Sequence, residues 1–318
     1  MKIGKLTNAE LEDLILSKFI NIRKEVAGAP KIGADCAYID LHSACVVSSD
    51  PITAATSRIG YLTVHVNCND AAAAGAEPVG LTVSLLAPPS ATKEQLSCIA
   101  DEISNAAKKV NIDIVGGHTE ITDAVTRIIT SATIIAKPIT KLKGKMQEGD
   151  SIVMTKWAGI EGTFVIANDI ENGLCLSEDE LQSARSLIDE LSVVPEGKFA
   201  AGNGAVAMHD ITEGGVLGAV WELSSLSKIG CKVFTEKIPV LDVTQKICDE
   251  FSINPLRLIS SGSMLIACPD GERMVAGLES IGVKATIIGK ATGSSVTDEY
   301  GNIIEPPEAD EIYKVLKR

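Results

Sequence analysis

Two stretches of alternating strand-like and helix-like segments, parted by a polar crossing segment, restrict the fold of this chain more than anything else in its sequence. In the first stretch, residues 57–74 have helical spacing and stop at Gly75, a residue suited to closing a helix. Residues 79–86 form an apolar strand, and 92–110 a helix with Thr92 as its N-cap and Glu94 and Gln95 in its first turn. Strands follow at 112–115 and 126–136. Ahead of them lie a helix over 8–25, carrying Leu11, Leu14, Ile15, Phe19 and Ile22, a glycine-rich loop at 28–35, and strands at 36–39 and 44–48, the second ending at Ser49-Asp50-Pro51. Residues 137–150, with Pro138 and Gly149-Asp150, cross to a second stretch. There strands at 151–155, 205–209, 231–235, 263–268 and 283–289 alternate with helices at 178–193, 216–227, 241–251 and 270–281. A length of 318 residues is long for one hydrophobic core. The expectation is two α/β or α+β domains, 1–140 and 141–318.

Composition removes several classes of function. The net charge of −13 opposes binding to nucleic acid, whose phosphates need clustered Lys and Arg, and opposes docking on anionic lipid. No apolar run reaches the roughly 18 residues of a membrane-spanning helix, and the N-terminus turns polar too early for a signal peptide. The eight cysteines are dispersed without a Cys-x-x-Cys pair, as in reduced thiols. These features lead us to expect a cytoplasmic protein. Only 3% of residues are aromatic, so packing rests on Ala, Val, Ile and Leu.

Chemistry is suggested by acidic residues at element ends. Asp35 precedes a strand, Asp50 follows one, and Asp70 lies on the helix 57–74, where Thr63, Asn67 and Asp70 share one polar face. Carboxylates on rigid elements suit Mg²⁺, which takes one or two of them together with substrate phosphates. Asp50 before Pro51 is equally a turn pair, and Asp35 beside Gly33 equally a turn cap. Gly116-Gly117-His118-Thr119-Glu120, directly after an apolar strand, offers bare main chain to a phosphate; His118 can be surface, proton shuttle or ligand. His209-Asp210-Ile211-Thr212-Glu213-Gly214-Gly215 closes a strand and opens a helix, a place for an anion or simply a capped turn. His65 sits one turn before Asn69. No Walker loop, dinucleotide glycine fingerprint or nucleophile elbow occurs in the sequence.

In this order, the motifs resemble the superfamily of aminoimidazole ribonucleotide (AIR) synthetase, the PurM-like proteins, over nearly the whole chain. Asn69-Asp70, four alanines and Gly75-Ala76-Glu77-Pro78 are similar to its Asn-Asp…Gly-Ala-x-Pro helix. Gly33-Ala34-Asp35, Ser49-Asp50, Gly116-Gly117, Asp210-x-Thr212-x-Gly214-Gly215 and Ser260-Ser261-Gly262 resemble its remaining motifs. The resemblance implies a two-domain α+β fold: an N-terminal α/β domain whose sheet pairs in a homodimer, and a C-terminal ferredoxin-like α+β domain. It implies ATP and magnesium as cofactors. Asp35, Asp50 and Asp70 would hold metal, and Asn69, Gly116, Gly117, His118, Thr119 and Glu120 the nucleotide. His209, Asp210 and Glu213 would form the catalytic, substrate-facing side. The implied chemistry is activation of a carbonyl, amide or phosphate oxygen by phosphoryl transfer, in which positioning and charge neutralisation dominate.

Among the branches, His65 with Asn69-Asp70 and the 209–215 motif are most similar to HypE-type hydrogenase maturation factors and AIR synthase-related proteins. HypE works through a C-terminal cysteine, whereas the last cysteine here is Cys268, so the same thiol route is not expected. His118 stands where the superfamily carries an acid, which leaves one magnesium ligand fewer. The alternatives are a small-molecule kinase similar to thiamine-monophosphate kinase and a nucleotide-binding maturation partner without turnover.

Overall fold

The structure, a computed structural model, describes residues 4–27, 38–53, 55–170, 174–307 and 309–316. The chain divides into two compact units, Met1–Ala71 with Ala76–Pro138 and Ala72–Gly75 with Ile139–Arg318.

The first unit is a five-stranded sheet in the order β1-β4-β3-β5-β2, built from β1 (Gly4–Lys5), β2 (Val46–Ile52), β3 (Ala76–Ala87), β4 (Asp113–Ile121) and β5 (Ile129–Pro138). Strands β3 and β4 run parallel, joined by α3 (Lys93–Val110); β5 is antiparallel to both β3 and β2. Thr92 and Gln95 close a capping box at the start of α3, and Asn111 ends it in the left-handed conformation. The buried stripe Leu96, Ile99, Ala100, Ile103, Ala106 and Ala107 follows helical spacing, and each Leu or Ile so buried contributes about 1.5–3 kcal/mol. Helix α2 (Ile59–Ala73) approaches α3 so closely at Gly60 that a Cβ there would lie 2.4 Å from the Ile99 carbonyl oxygen.

Three expectations need correction in this unit. The helix expected over 8–25 is α1 (Asn8–Leu14) followed by a single 3₁₀ turn, Leu16–Lys18. Beyond it, the backbone N–H groups of Ile22 and Arg23 donate to the Asp113 carboxylate at 2.6 and 3.0 Å. Those tertiary bonds take donors that a continuing helix would use internally. The Arg23 side chain is buried and forms a double ion pair with Glu25 and Glu77. Asp50 and Pro51 do not follow β2 but lie inside it, and proline is tolerated there because β2 is an edge strand. Gly116 to Glu120 do not form a loop after a strand; they continue β4 alongside β3 as far as Ala87↔Ile121.

The second unit holds a six-stranded mixed sheet in the order β11-β8-β10-β6-β9-β7. Its strands are β6 (Ser151–Thr155), β7 (Ala207–Asp210), β8 (Cys231–Val233), β9 (Met264–Cys268), β10 (Ala285–Ala291) and β11 (Val296–Thr297). Helices α4 (Ile160–Asp169), α5 (Glu178–Ser186), α6 (Val194–Gly202), α7 (Gly215–Ser227), α8 (Asp242–Phe251), α9 (Gly271–Ser280) and α10 (Ile312–Leu316) complete it. Its core gathers Met154, Leu217, Val220, Leu223, Leu265 and Ile288. Helix α4 went unforeseen because Gly159 and Gly162 interrupt the helical signal. Gly162 is needed there, since a Cβ would fall 2.4 Å from Leu258 Cγ. Among the described residues no helix is long and apolar enough to cross a membrane. The described cysteines are all free thiols, with Cys68, Cys231, Cys248 and Cys268 buried and Cys45, Cys98 and Cys175 exposed.

Candidate functional site

The polar face expected on α2 exists, and it laces the helix to the sheet. Thr63 Oγ1 lies 2.6 Å from Thr130 Oγ1 of β5. The Asn67 amide accepts the Asp50 N–H at 3.0 Å and donates to the Asp50 carbonyl at 3.3 Å. One turn on, Asp70 accepts a hydrogen bond from the Ser48 hydroxyl. Asp50 and Asp70 are both half-buried, on β2 and α2, while Asn67 and Asn69 are fully buried. Helix and edge strand thus place two of the three carboxylates expected to hold metal on the same side of the sheet. Asp35, the third, lies outside the described residues. Among those residues no group of three or more His, Cys, Asp or Glu is placed to hold a metal ion. Two carboxylates beside a nucleotide's phosphates are nevertheless a donor set that suits Mg²⁺.

The glycine segment serves two sides of the sheet. Strand register puts Gly117 and Thr119 level with Val83 and Leu85 of β3 and, through β5, with Asp50 and Ile52 of β2. This is the face that packs on α2. His118 and Glu120 align instead with Ser84 and Leu86, on the opposite face, where His118 Nε2 and Glu120 Oε2 pair at 3.1 Å. So His118 and Glu120 do not join Asp50 and Asp70. Gly117 has φ +155°, and a Cβ on it would stand 1.9 Å from the Val83 carbonyl oxygen. Its glycine is demanded by the neighbouring strand. On its outer side β4 pairs with β1 only at Glu120 and Ile121, so among the described strands the outer edge of Gly116–Thr119 has no partner. The unpartnered main chain of this segment is therefore a strand edge and not a loop.

The face bearing His118 is polar and part-exposed: Thr82, Ser84, Ser131, Thr133 and Ser49 alternate with buried residues, and Val47 is 59% exposed. One end of it is covered where Val26, Ile39 and Leu41 pack on Val79, Val115 and Ile135. His65 is buried at 2% exposure with its ring 4.2 Å from that of Tyr61.

In the second unit, β7 presents His209 and Asp210 to opposite sides. His209 Nε2 meets Glu222 Oε2 of α7 at 2.9 Å, and Asp210 is buried. Glu213 is exposed and accepts a hydrogen bond from the Tyr313 hydroxyl at 2.6 Å, which pushes the tyrosine up to about 12. Gly214, left-handed at φ +83°, donates its N–H to Asp310 at 2.7 Å. Burial raises the Asp310 carboxyl, against the backbone N–H groups of Ile312, Gly214 and Ile259 that lower it.

Sequence reasoning missed Asp310 and Tyr313, and it missed Glu161 altogether. Glu161 sits in the first turn of α4 and is 7% exposed. Burial is the largest cause pushing its carboxyl up to about 7; hydrogen bonds from Ser261 oppose this, and the charges of Asp310 and Glu213 reinforce it. The Ser-Ser-Gly motif explains the placement. Ser260 Oγ accepts the N–H groups of Gly159 and Ile160 at 2.9 and 3.4 Å, serving as a cap for α4 supplied from about a hundred residues away. A signal was present in Gly159-Ile160-Glu161-Gly162, a carboxylate between two glycines, but nothing local marks it as buried.

Comparison with known proteins decides the family. The AIR synthase related protein N-terminal domain matches residues 33–137, and the corresponding C-terminal domain matches 147–300. The chain belongs to the AIR synthase related family. A protein of Methanocaldococcus jannaschii, provisionally named for hydrogenase expression and formation, is 31% identical over 266 residues, 80% of this chain and 75% of its own. The carbamoyl dehydratase HypE of Escherichia coli is 25% identical over 284 residues, 84% of this chain and 81% of its own. The crystal structure of E. coli HypE superposes with a TM-score of 0.82 at 21% identity, over 97% of this chain and all of that one. A HypE solved in complex with ATP gives 0.80 at 19% identity, over 96% and 95%. The family member described here is HypE-like in fold across its length.

Proposed function

We propose that this protein binds ATP with magnesium at its first unit and uses the γ-phosphoryl group to activate an amide oxygen, in the manner of a HypE-type dehydratase. The observation that carries this reading is the anchoring of Asp50 and Asp70 on the same side of the sheet by Asn67 and Ser48, in a chain that superposes on an ATP-bound HypE over nearly its full length. Asp50 and Asp70 would hold Mg²⁺, with Asp35 as a further ligand. The metal would neutralise phosphate charge during transfer. Asn69 and the outer edge of Gly116–Thr119 would contact the nucleotide.

An amide suits such a site because it has a poor leaving group. Attack of the amide oxygen on the γ-phosphorus releases ADP; loss of the nitrogen protons and of phosphate then leaves a nitrile. The 209–215 loop, with His209, Asp210 and Glu213, would form the substrate side. Sequence relatives named carbamoyl dehydratase HypE favour amide activation over a small-molecule kinase. HypE has also been solved in complex with HypF, which is in keeping with a protein-borne substrate. The polar, part-exposed face of Thr82, Ser84, Ser131 and Val47 supports pairing of two first-unit sheets in a homodimer.

Calorimetry of ATP with and without Mg²⁺, followed by assay of ADP and phosphate release with a carbamoylated peptide, tests the reading. Mg²⁺-dependent binding that fails in Asp70→Asn supports it. Binding indifferent to Mg²⁺ and to both aspartates would remove it.

A further inference from the structure

Three features outside the nucleotide site stand out. A groove of about 980 Å³ lined by Arg58, Tyr61, Lys93 and Lys109 has Arg58 paired with Glu102 and Lys93 with Glu10, and reads as a solvated helix face. Buried Lys156 donates to the carbonyls of Glu190 and Ser192 and pairs with Glu196, which makes it a fastening between segments. The carboxyl group of Glu161 has no such explanation.

Glu161 Oε2 is buried and has no hydrogen-bond partner. A buried polar atom left unpaired is destabilising, so its persistence points to something that pairs with it. Around it stand two further carboxyls, Asp310 and Glu213, both of which act on it as like charges. Among the described residues no basic side chain acts on the Glu161 carboxyl. Arg185 of α5 donates to the Ala167 carbonyl at the far end of α4, and Lys246 of α8 pairs with Glu180. Lys314 of α10 pairs with Glu311 at 2.6 Å, and Arg257 donates to the carbonyls of Glu305 and Pro306. The cluster grades from exposed Glu213 through half-buried Tyr313 to buried Asp310 and Glu161. Asp310 already accepts backbone N–H groups, and Glu213 the Tyr313 hydroxyl. The open acceptor is therefore Glu161 Oε2.

We infer that Glu161, with Glu213 and Asp310 around it, forms a subsite in the second unit for a small organic cation bearing N–H donors, an ammonium or guanidinium group. Such a ligand supplies the positive charge the cluster lacks and the donor that Oε2 lacks. An inorganic divalent ion fits less well, because these carboxyls do not converge as a metal-ligand group. The subsite rests on the proposed function only in treating the 209–215 loop as substrate-facing; its anion cluster stands without ATP.

Linkage gives the test a direct readout. A carboxyl that titrates near neutrality is half protonated at pH 7, so a bound cation expels about half a proton per site. The protein, with its glutamate δ-carbons labelled, is titrated by NMR with methylguanidinium, ethylammonium and tetramethylammonium. The first two should bind saturably and lower the Glu161 midpoint by a unit or more, and the third, which has no N–H, should not. Glu161→Gln should weaken methylguanidinium at least tenfold and abolish the proton release seen as buffer-dependent heat. The inference is overturned if the wild-type Glu161 midpoint stays put at saturating probe, a result independent of any variant's folding. It is equally overturned if tetramethylammonium or Mg²⁺ alone reproduces the shift. Asp70→Asn should leave this binding intact while ATP binding falls, so the two proposals fail separately.

Discussion

Asn67 holds the backbone of Asp50 from both ends, accepting its N–H at 3.0 Å and donating to its carbonyl at 3.3 Å. A buried helix amide thereby takes the place of the strand that an edge residue would otherwise lack.

Asn67→Ala should therefore cost about 1–3 kcal/mol, since it leaves two backbone groups of a half-buried strand unpaired. Urea unfolding measures this. The same variant should also loosen Mg·ATP, because Asp50 loses its support.

Asp70→Asn should reduce Mg·ATP affinity about tenfold or more, on the order of 1.4 kcal/mol, while affinity for ATP without metal changes little. Ser48→Ala, which removes only the hydroxyl that donates to Asp70, should cost less than about threefold. Parallel calorimetry of the two separates metal binding from positioning. Equal losses would make Asp70 a structural residue.

Adjacent glycines in β4 should respond oppositely to alanine. At Gly117 a Cβ would stand 1.9 Å from the Val83 carbonyl oxygen, so Gly117→Ala should cost more than about 3 kcal/mol or prevent folding. At Gly116 the nearest atom is Thr82 Cγ2 at 3.9 Å, and Gly116→Ala should stay within about 1 kcal/mol. Thermal unfolding of both settles whether Gly117 answers to the sheet or to a ligand.

Glu161 predicts an unusual pH dependence. Its carboxyl is raised on folding from 4.5 to about 7, so the native state binds the extra proton. Its contribution is greatest below pH 4.5 and declines as pH rises to about 7, by up to about 3 kcal/mol, then levels off. Glu161→Gln should flatten this part of the profile. Melting temperatures between pH 5 and 8, wild type against variant, measure it, and a stability that rises with pH through this window in the difference would contradict the assignment.

Much of this was readable in the chain. Thr92 and Gln95 announced α3, and the three-and-four spacing of Thr63, Asn67 and Asp70 announced a polar helix face. What failed was local in its signal and distant in its cause. The helix after Asn8 stopped early because Asp113, some ninety residues on, takes the N–H groups of Ile22 and Arg23. Gly116-Gly117 looked like a bend because glycine usually means one, whereas close approach of β3 was the reason. Glu161 was invisible because its burial depends on Ser260, Ser261 and Asp310, each at least 99 positions away.

Strand β4 turns His118 and Thr119 to opposite sides of one sheet. The strand is thus a wall with two tenants: substitutions at 118 and 120 can remodel one surface while the packing behind Asp50 and Asp70 stays untouched. The residue at 118 is free to change there without disturbing the side of the sheet that carries Asp50 and Asp70, so what meets one surface can be altered independently of the other.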